Sequence, residues 1–175
     1  MELFEKLKNK NIISFDAETD GLWGDAFCIA AVKYNEKGDE VSSFIGRCKA
    51  DCKNQWVKDN VLTKIKDIPV TYKDYESLLK GFFEWYMRNK EDTAALVHMG
   101  HIVESKLLQD AHKLDIIGDW DAPFLWYDIC LFFDESVDNY IKNNEIDIEY
   151  TGSMHNPFYD SIAAYRAFRH FIENN

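Results

Sequence analysis

The spacing of apolar and polar positions changes several times along the chain, and each change marks an element. The run NIISFDAET is apolar enough to predict a buried strand over Ile12–Glu18. Two more strands are predicted at FCIAAVKY (Phe27–Tyr34) and EVSSFIGR (Glu40–Arg47), joined by the turn-rich NEKGDE with Gly38. Residues 51–70 carry no clean period and read as irregular or weakly helical. Thr71 and Asp74, three apart, resemble a capping signal. Tyr75, Leu78, Leu79, Phe82, Phe83 and Tyr86 then recur at helical spacing and predict a long amphipathic helix. A short buried strand (TAALVH), a helix over Glu104–Leu114 and a strand at PFLWYDI follow. Short helical structure is predicted within Ser136–Asn144, and a last helix over Pro157–Glu173. The first residues, MELFEKLKNKN, read as a short amphipathic helix.

Three strands, a helix, a strand, a helix, a strand and then helices predict an α/β fold. Its mixed sheet is antiparallel in the first three strands and parallel through the later crossovers, with helices flanking it. No repeat or Pro/Gly linker interrupts the 175 residues, so one domain over 1–175 is expected.

Composition adds limits. Twelve Phe, nine Tyr and five Trp supply a substantial core. No stretch reaches the roughly 18 apolar residues of a membrane span, and the start lacks the apolar run of a signal peptide, so no membrane partner and a cytoplasmic location are expected. Four cysteines fit reduced thiols there; Cys48 and Cys52 could begin a zinc site, but no second Cys/His pair with finger-like spacing follows. The net charge of −11, from 31 acids against 20 bases, argues against a basic face gripping long duplex nucleic acid. It does not exclude an enzyme whose acids hold divalent cations, because the ions reverse the local field.

The acids are not scattered at random over the predicted elements. Asp16 and Glu18 are two apart near the end of the first strand, so both leave the same face. Glu104 heads the helical stripe Leu107, Leu108, Ala111. Asp160 heads a second stripe through Ala163, Ala164, Ala167, Phe168 and Phe171. Helix-dipole capping would account for Glu104 or Asp160 alone, and a solvated strand end for the Asp16/Glu18 pair. All four directed inward, with few bases to offset them, point instead to a divalent cation. His155 precedes Asp160 by five residues, which within one helix would separate them by about 500°. The helix-start pair Asn156–Pro157 puts His155 in the lead-in loop, where the two can converge. A loop histidine at an acidic mouth can take a proton from water near neutral pH.

These residues, in this order, resemble the DEDD superfamily of 3′→5′ exonucleases, in its histidine-containing (DEDDh) branch of proofreading subunits and oligoribonucleases. The first motif of that family, Asp-x-Glu followed by Thr-x-Gly-Leu, is matched by FDAETDGL, with Asp16, Glu18, Thr19, Gly21 and Leu22. The third, His and then Asp five residues on, is matched by HNPFYD, with His155 and Asp160. Asp128 resembles a recurring strand-end Asp. The second motif departs: Glu104 stands where Asp is usual, Val103 where Phe is common, and Met99 where Asn follows His. Asp110 lies six residues beyond it, outside the motif.

The resemblance implies a ribonuclease H-like fold and a metal-dependent 3′→5′ exonuclease. Its substrates would be single-stranded or short DNA or RNA 3′ ends, and its products nucleoside 5′-monophosphates. It implies two Mg²⁺ or Mn²⁺ ions held by Asp16, Glu18, Glu104 and Asp160, with His155 as general base. Thr19, Gly21, Leu22 and Trp23 would border the terminal nucleotide; the alternative for Leu22 and Trp23 is that they roof the core, and for Trp23 that is the favoured reading. His98 and His101 could line the cleft. Many relatives are dimers, so a homodimer is a further expectation. The altered second motif also fits a catalytically inactive module that only binds.

Overall fold

In the computed structural model, residues 6–100 and 102–175 are described. The strands are β1 (Asn11–Thr19), β2 (Ala26–Tyr34), β3 (Glu40–Arg47), β4 (Thr93–Val97) and β5 (Trp126–Asp128). The helices are α1 (Gln55–Asn60), α2 (Tyr75–Asn89), α3 (Val103–Lys113), α4 (Val137–Asn143) and α5 (Pro157–Asn174), with a 3₁₀ turn at Ile129–Leu131. The predicted first helix lies partly outside the described residues; Lys6–Lys8 are helical. No helix among the described residues is long and apolar enough to cross a membrane.

The sheet has the order β3-β2-β1-β4-β5. β1 pairs antiparallel with β2, and β2 with β3, while β1–β4 and β4–β5 are parallel. The mixed α/β sheet therefore has the ribonuclease H-like arrangement expected. β2 is buried along nearly its whole length, as a central strand covered on both faces must be.

β1 divides its residues between two cores. Ile13, Phe15 and Ala17 join Phe82, Trp85, Tyr86 and Leu107 beneath α2 and α3. Ile12 joins Tyr165, Phe168 and Ile172 of α5 on the opposite face. Ser14, Asp16 and Glu18 share the Ile12 face by the period of two. Ser14 Oγ donates to the Ser161 carbonyl of α5 at 2.7 Å. The α5 face thus turns polar toward the end of β1, where the acids stand.

Three local details differ from the sequence reading. The capping box of α2 is formed by Asp74 and Ser77, three residues later than the Thr71–Asp74 signal. The strand expected over residues 123–129 narrows to Trp126–Asp128, an edge strand with three register pairs to β4. Pro123 has no N–H to donate there, and Phe124 turns into solvent to stack on Trp120. Within the irregular 51–70 segment, α1 forms because Asn54 caps it, accepting from the N–H groups of Trp56 and Val57.

Candidate active site

The site lies at the C-terminal end of β1, between the starts of α3 and α5. Ligand atoms of Asp16, Glu18 and Asp160 all lie within 4.8 Å of one another. Asp160 is brought there by a closely built helix start. Asn156 caps α5 by accepting from Phe158 and Tyr159 N–H groups, and Pro157 occupies its first turn. Ser161, fully buried, has one hydroxyl proton to share between the carbonyls of Pro157 at 2.7 Å and Ala30 at 3.2 Å. The small side chains Ala163, Ala164 and Ala167 then let the helix sit close against the sheet.

Glu104 approaches from the opposite layer. It is 3% exposed, and its Oε1 accepts the Ala17 N–H at 3.3 Å. It is not one of the three acids within 4.8 Å, yet the Asp16 charge acts on it. α3 has no side-chain cap of its own at Ile102. Its entry is held by Asp128, which accepts from the N–H groups of Met99, Gly100 and Cys130, each at 3.1 Å. Met99 is left-handed at φ 56, and a Cβ on Gly100 would come within 2.5 Å of Val97 Cγ2, so the turn requires glycine there. Asp110 is occupied elsewhere, bound to Lys106 and accepting from the Tyr75 hydroxyl at 3.0 Å.

His155 lies in the lead-in loop in a left-handed conformation, φ 66, and its N–H donates to Asp160 Oδ2 at 2.9 Å. Its ring meets Trp56 of α1 edge-to-face, with centroids 5.1 Å apart. Burial lowers its pKa; Asp138 pulls the other way, and Lys64 adds to the lowering. His98 is also lowered by burial, against the charges of Asp128 and Asp138. His101 lies outside the described residues.

The loop after Glu18 is fastened at its start. Thr19 Oγ1 donates to the Gly21 carbonyl at 2.7 Å, and Gly21 has a φ of 81. The Asp20 carboxylate accepts from Lys53 N–H at 2.8 Å and Asn54 N–H at 3.0 Å, tying this loop to the start of α1. Leu22 and Trp23 project into solvent at the mouth; Trp23 is 76% exposed and does not roof the core.

The electrostatics of the acids are costly. Burial raises Asp16 to about 7. Burial, then the Asp16 charge, raises Glu18 to about 8. Burial, then Asp16 and Glu18, raises Asp160 to about 10. Glu104 is raised by burial and then by Asp16. No ion pair reaches any of the four among the described residues. Crowded, buried or partly buried carboxylates without a basic partner either keep protons or take up a hard divalent cation, and an all-oxygen donor set suits Mg²⁺ or Mn²⁺. The residues present therefore fit such an ion. The four cysteines are free, and burial pushes Cys48 up to about 11, away from the thiolate a zinc ion binds.

Trp56, Asp138 and the surroundings of Lys64 were missed by sequence reasoning. Trp56 lies in the segment read as irregular, and its only sequence signal was an aromatic just after a capping Asn.

No family model matches the chain, and no curated protein matches its sequence. Among solved structures, the chain is similar to Exonuclease X in complex with 5′-overhanging duplex DNA. That similarity has a TM-score of 0.60 at 16% identity, covering 94% of this chain and 92% of the other. The shared fold extends over nearly all of both chains.

Proposed function

We propose that this protein is a metal-dependent 3′→5′ exonuclease of the DEDDh type, acting on single-stranded or short nucleic-acid ends. The observation that carries the reading is the trio Asp16, Glu18 and Asp160, with ligand atoms within 4.8 Å and His155 bonded to Asp160 beside them. The likeness to an exonuclease solved on DNA adds support at the level of fold.

Asp16, Glu18 and Asp160 would hold divalent cations, with Glu104 closing the set from α3. When bound, Mg²⁺ or Mn²⁺ neutralises charge on the scissile phosphate and on its attacking and leaving oxygens. His155 takes a proton from water at a ring nitrogen, a role favoured by a pKa that leaves the imidazole neutral near pH 7. Asp160 orients it by accepting its backbone N–H, and Trp56 limits its ring on one side. Leu22 and Trp23, exposed beside the acids, would meet the terminal nucleotide.

The test is digestion of 5′-labelled single-stranded DNA and RNA with Mg²⁺ or Mn²⁺, alongside Asp16→Ala and Glu104→Ala. A ladder of one-nucleotide steps, lost in Asp16→Ala, is expected. Stabilisation by Mn²⁺ without any ladder would favour the second reading, an inactive binding module. The observation favouring that alternative is that Glu104 spends one oxygen on Ala17 N–H.

A further inference from the structure

A chain of net charge −11 that acts on a polyanion needs somewhere to hold it. Residues 47–66 contain six bases and two acids, a net +4, so the other 155 residues carry −15. This basic stretch lies at the cleft. Its Lys53 and Lys58 act electrostatically on Asp20, two residues after Glu18. Its Trp56 touches His155, and the charge of its Lys64 reaches the same imidazole. Lys49, Lys53, Lys58, Lys64 and Lys66 are all exposed, and none makes an ion pair among the described residues.

From Lys64 the surface continues into a groove of about 340 Å³ between the 64–69 turn and the 150–156 loop. Ile45 and Tyr150 give it partly exposed apolar walls, and Asp67 is the acid in its lining. A surface lysine run is most often only a solvated face. Here five unpaired lysines are concentrated in an otherwise acidic molecule, on the segment that contacts the histidine.

Resting on the exonuclease reading, we infer that residues 47–66, with the adjoining groove, form the surface that holds a single-stranded nucleic acid behind its 3′ end. One basic strip in a chain whose other residues sum to −15 suits one phosphate backbone better than two. Tyr150 offers a face on which an unpaired base can stack.

The experiment measures salt-dependent binding by fluorescence anisotropy. Its probes are dT12, rU12 and a blunt 12-base-pair duplex, all with phosphorothioate 3′ linkages to block turnover, in Mn²⁺. The protein is compared with Lys53→Gln/Lys58→Gln/Lys64→Gln, and with a control of equal charge loss elsewhere, Lys37→Gln/Lys80→Gln/Arg88→Gln. Each phosphate contact on a single strand contributes about −0.7 to the slope of log K against log salt. The cleft triple variant is expected to flatten that slope by about 2 on dT12 and rU12 and to weaken binding at low salt at least tenfold, against under twofold for the control. With unblocked substrates, its loss in kcat/KM shrinks as the oligonucleotide shortens toward a dinucleotide. An unchanged slope, an equal loss in the control, tighter binding of the blunt duplex than of dT12, or no binding by the unmodified protein would overturn the inference. If the unmodified protein cuts nothing, the exonuclease reading fails, and the binding slopes still decide the surface.

Discussion

Asp160→Asn is expected to stabilise the metal-free protein at alkaline pH while removing its response to Mn²⁺. The substitution is nearly isosteric, and the new amide oxygen can still accept the His155 N–H that Asp160 accepts at 2.9 Å. What changes is the proton balance. Burial and the charges of Asp16 and Glu18 raise Asp160 from 3.8 to about 10, so at pH 8 the folded protein retains a proton that the unfolded chain has lost. Stability then falls as pH rises above the unfolded value of 3.8, by up to about 1.4 kcal/mol per pH unit, until the folded pKa is reached. Between that value and pH 8 the ceiling is about 6 kcal/mol. Water reaching a half-buried carboxyl solvates it better than a dry interior would, which brings the expected gain from Asp160→Asn to about 3 kcal/mol at pH 8. Near pH 4 the gain should vanish.

Urea unfolding in EDTA at pH 4, 6 and 8 measures this directly. With a slope of about 2 kcal/mol per molar, the midpoint at pH 8 should rise by about 1.5 M. Saturating Mn²⁺ should then reverse the order: at a thousandfold excess over Kd it adds about 4.1 kcal/mol to the unsubstituted protein, more than the variant's advantage, and far less to the variant. A variant less stable at pH 8 in EDTA, or a difference that is the same at pH 4 and pH 8, would mean that Asp160 does not hold a proton in the folded state.

Other predictions concern the remaining site residues. Replacing His155 with Ala should lower kcat by about 10²–10⁴ and abolish the acidic limb of its pH profile, which burial of the imidazole puts below the ordinary histidine range. Glu104→Ala strands the Ala17 N–H and should cost about 1–3 kcal/mol in EDTA at pH 4, where the carboxyl is largely protonated folded and unfolded alike. Glu104→Gln keeps an acceptor, should be near neutral at pH 4, gain stability at alkaline pH because burial raises the Glu104 carboxyl, and lose Mn²⁺ affinity, so chemical unfolding and Mn²⁺ titration separate the two. Gly100→Ala places a Cβ at 2.5 Å from Val97 Cγ2 and should cost about 1–3 kcal/mol, with faster amide exchange at the start of α3.

Much of the sheet could be read from local patterns because β1 and β2 are central strands buried on both faces, β2 apolar almost throughout and β1 apolar on the face toward α2 and α3. The inward aim of Glu104 was also legible, since it heads an apolar stripe and is 3% exposed. Features held by distant partners were not. Asn54 begins α1 where Asp20, 34 residues away, grips its N–H. The extent of β5 depends on pairing with β4 and on Phe124 leaving the sheet to stack on Trp120. The nearness of Asp138 to His98 and His155 arises from α4 packing against α5, with Val137 and Ile141 in the same core as Ile162 and Phe168, which no spacing within residues 137–143 encodes.

The same long-range logic explains how glutamate can stand at position 104. The parallel ladder between β1 and β4 runs from Asn11↔Thr93 to Ser14↔Leu96 and goes no further, so β1 continues past the end of its partner. A buried amide beyond the ladder needs an acceptor. β4 has by then ended at Val97, and the turn held by Asp128 carries the chain on into α3. Glu104, one residue into that helix, reaches back to Ala17 N–H and supplies the missing acceptor. Aspartate is one methylene shorter and would have to give up that hydrogen bond, or draw α3 inward, to hold its carboxylate in the same place. The extra methylene thus lets one carboxylate close the splayed end of β1 and still share the field of Asp16. On this account Glu104→Asp disturbs the backbone of β1 as well as the acids, and its cost should be measurable without any metal present.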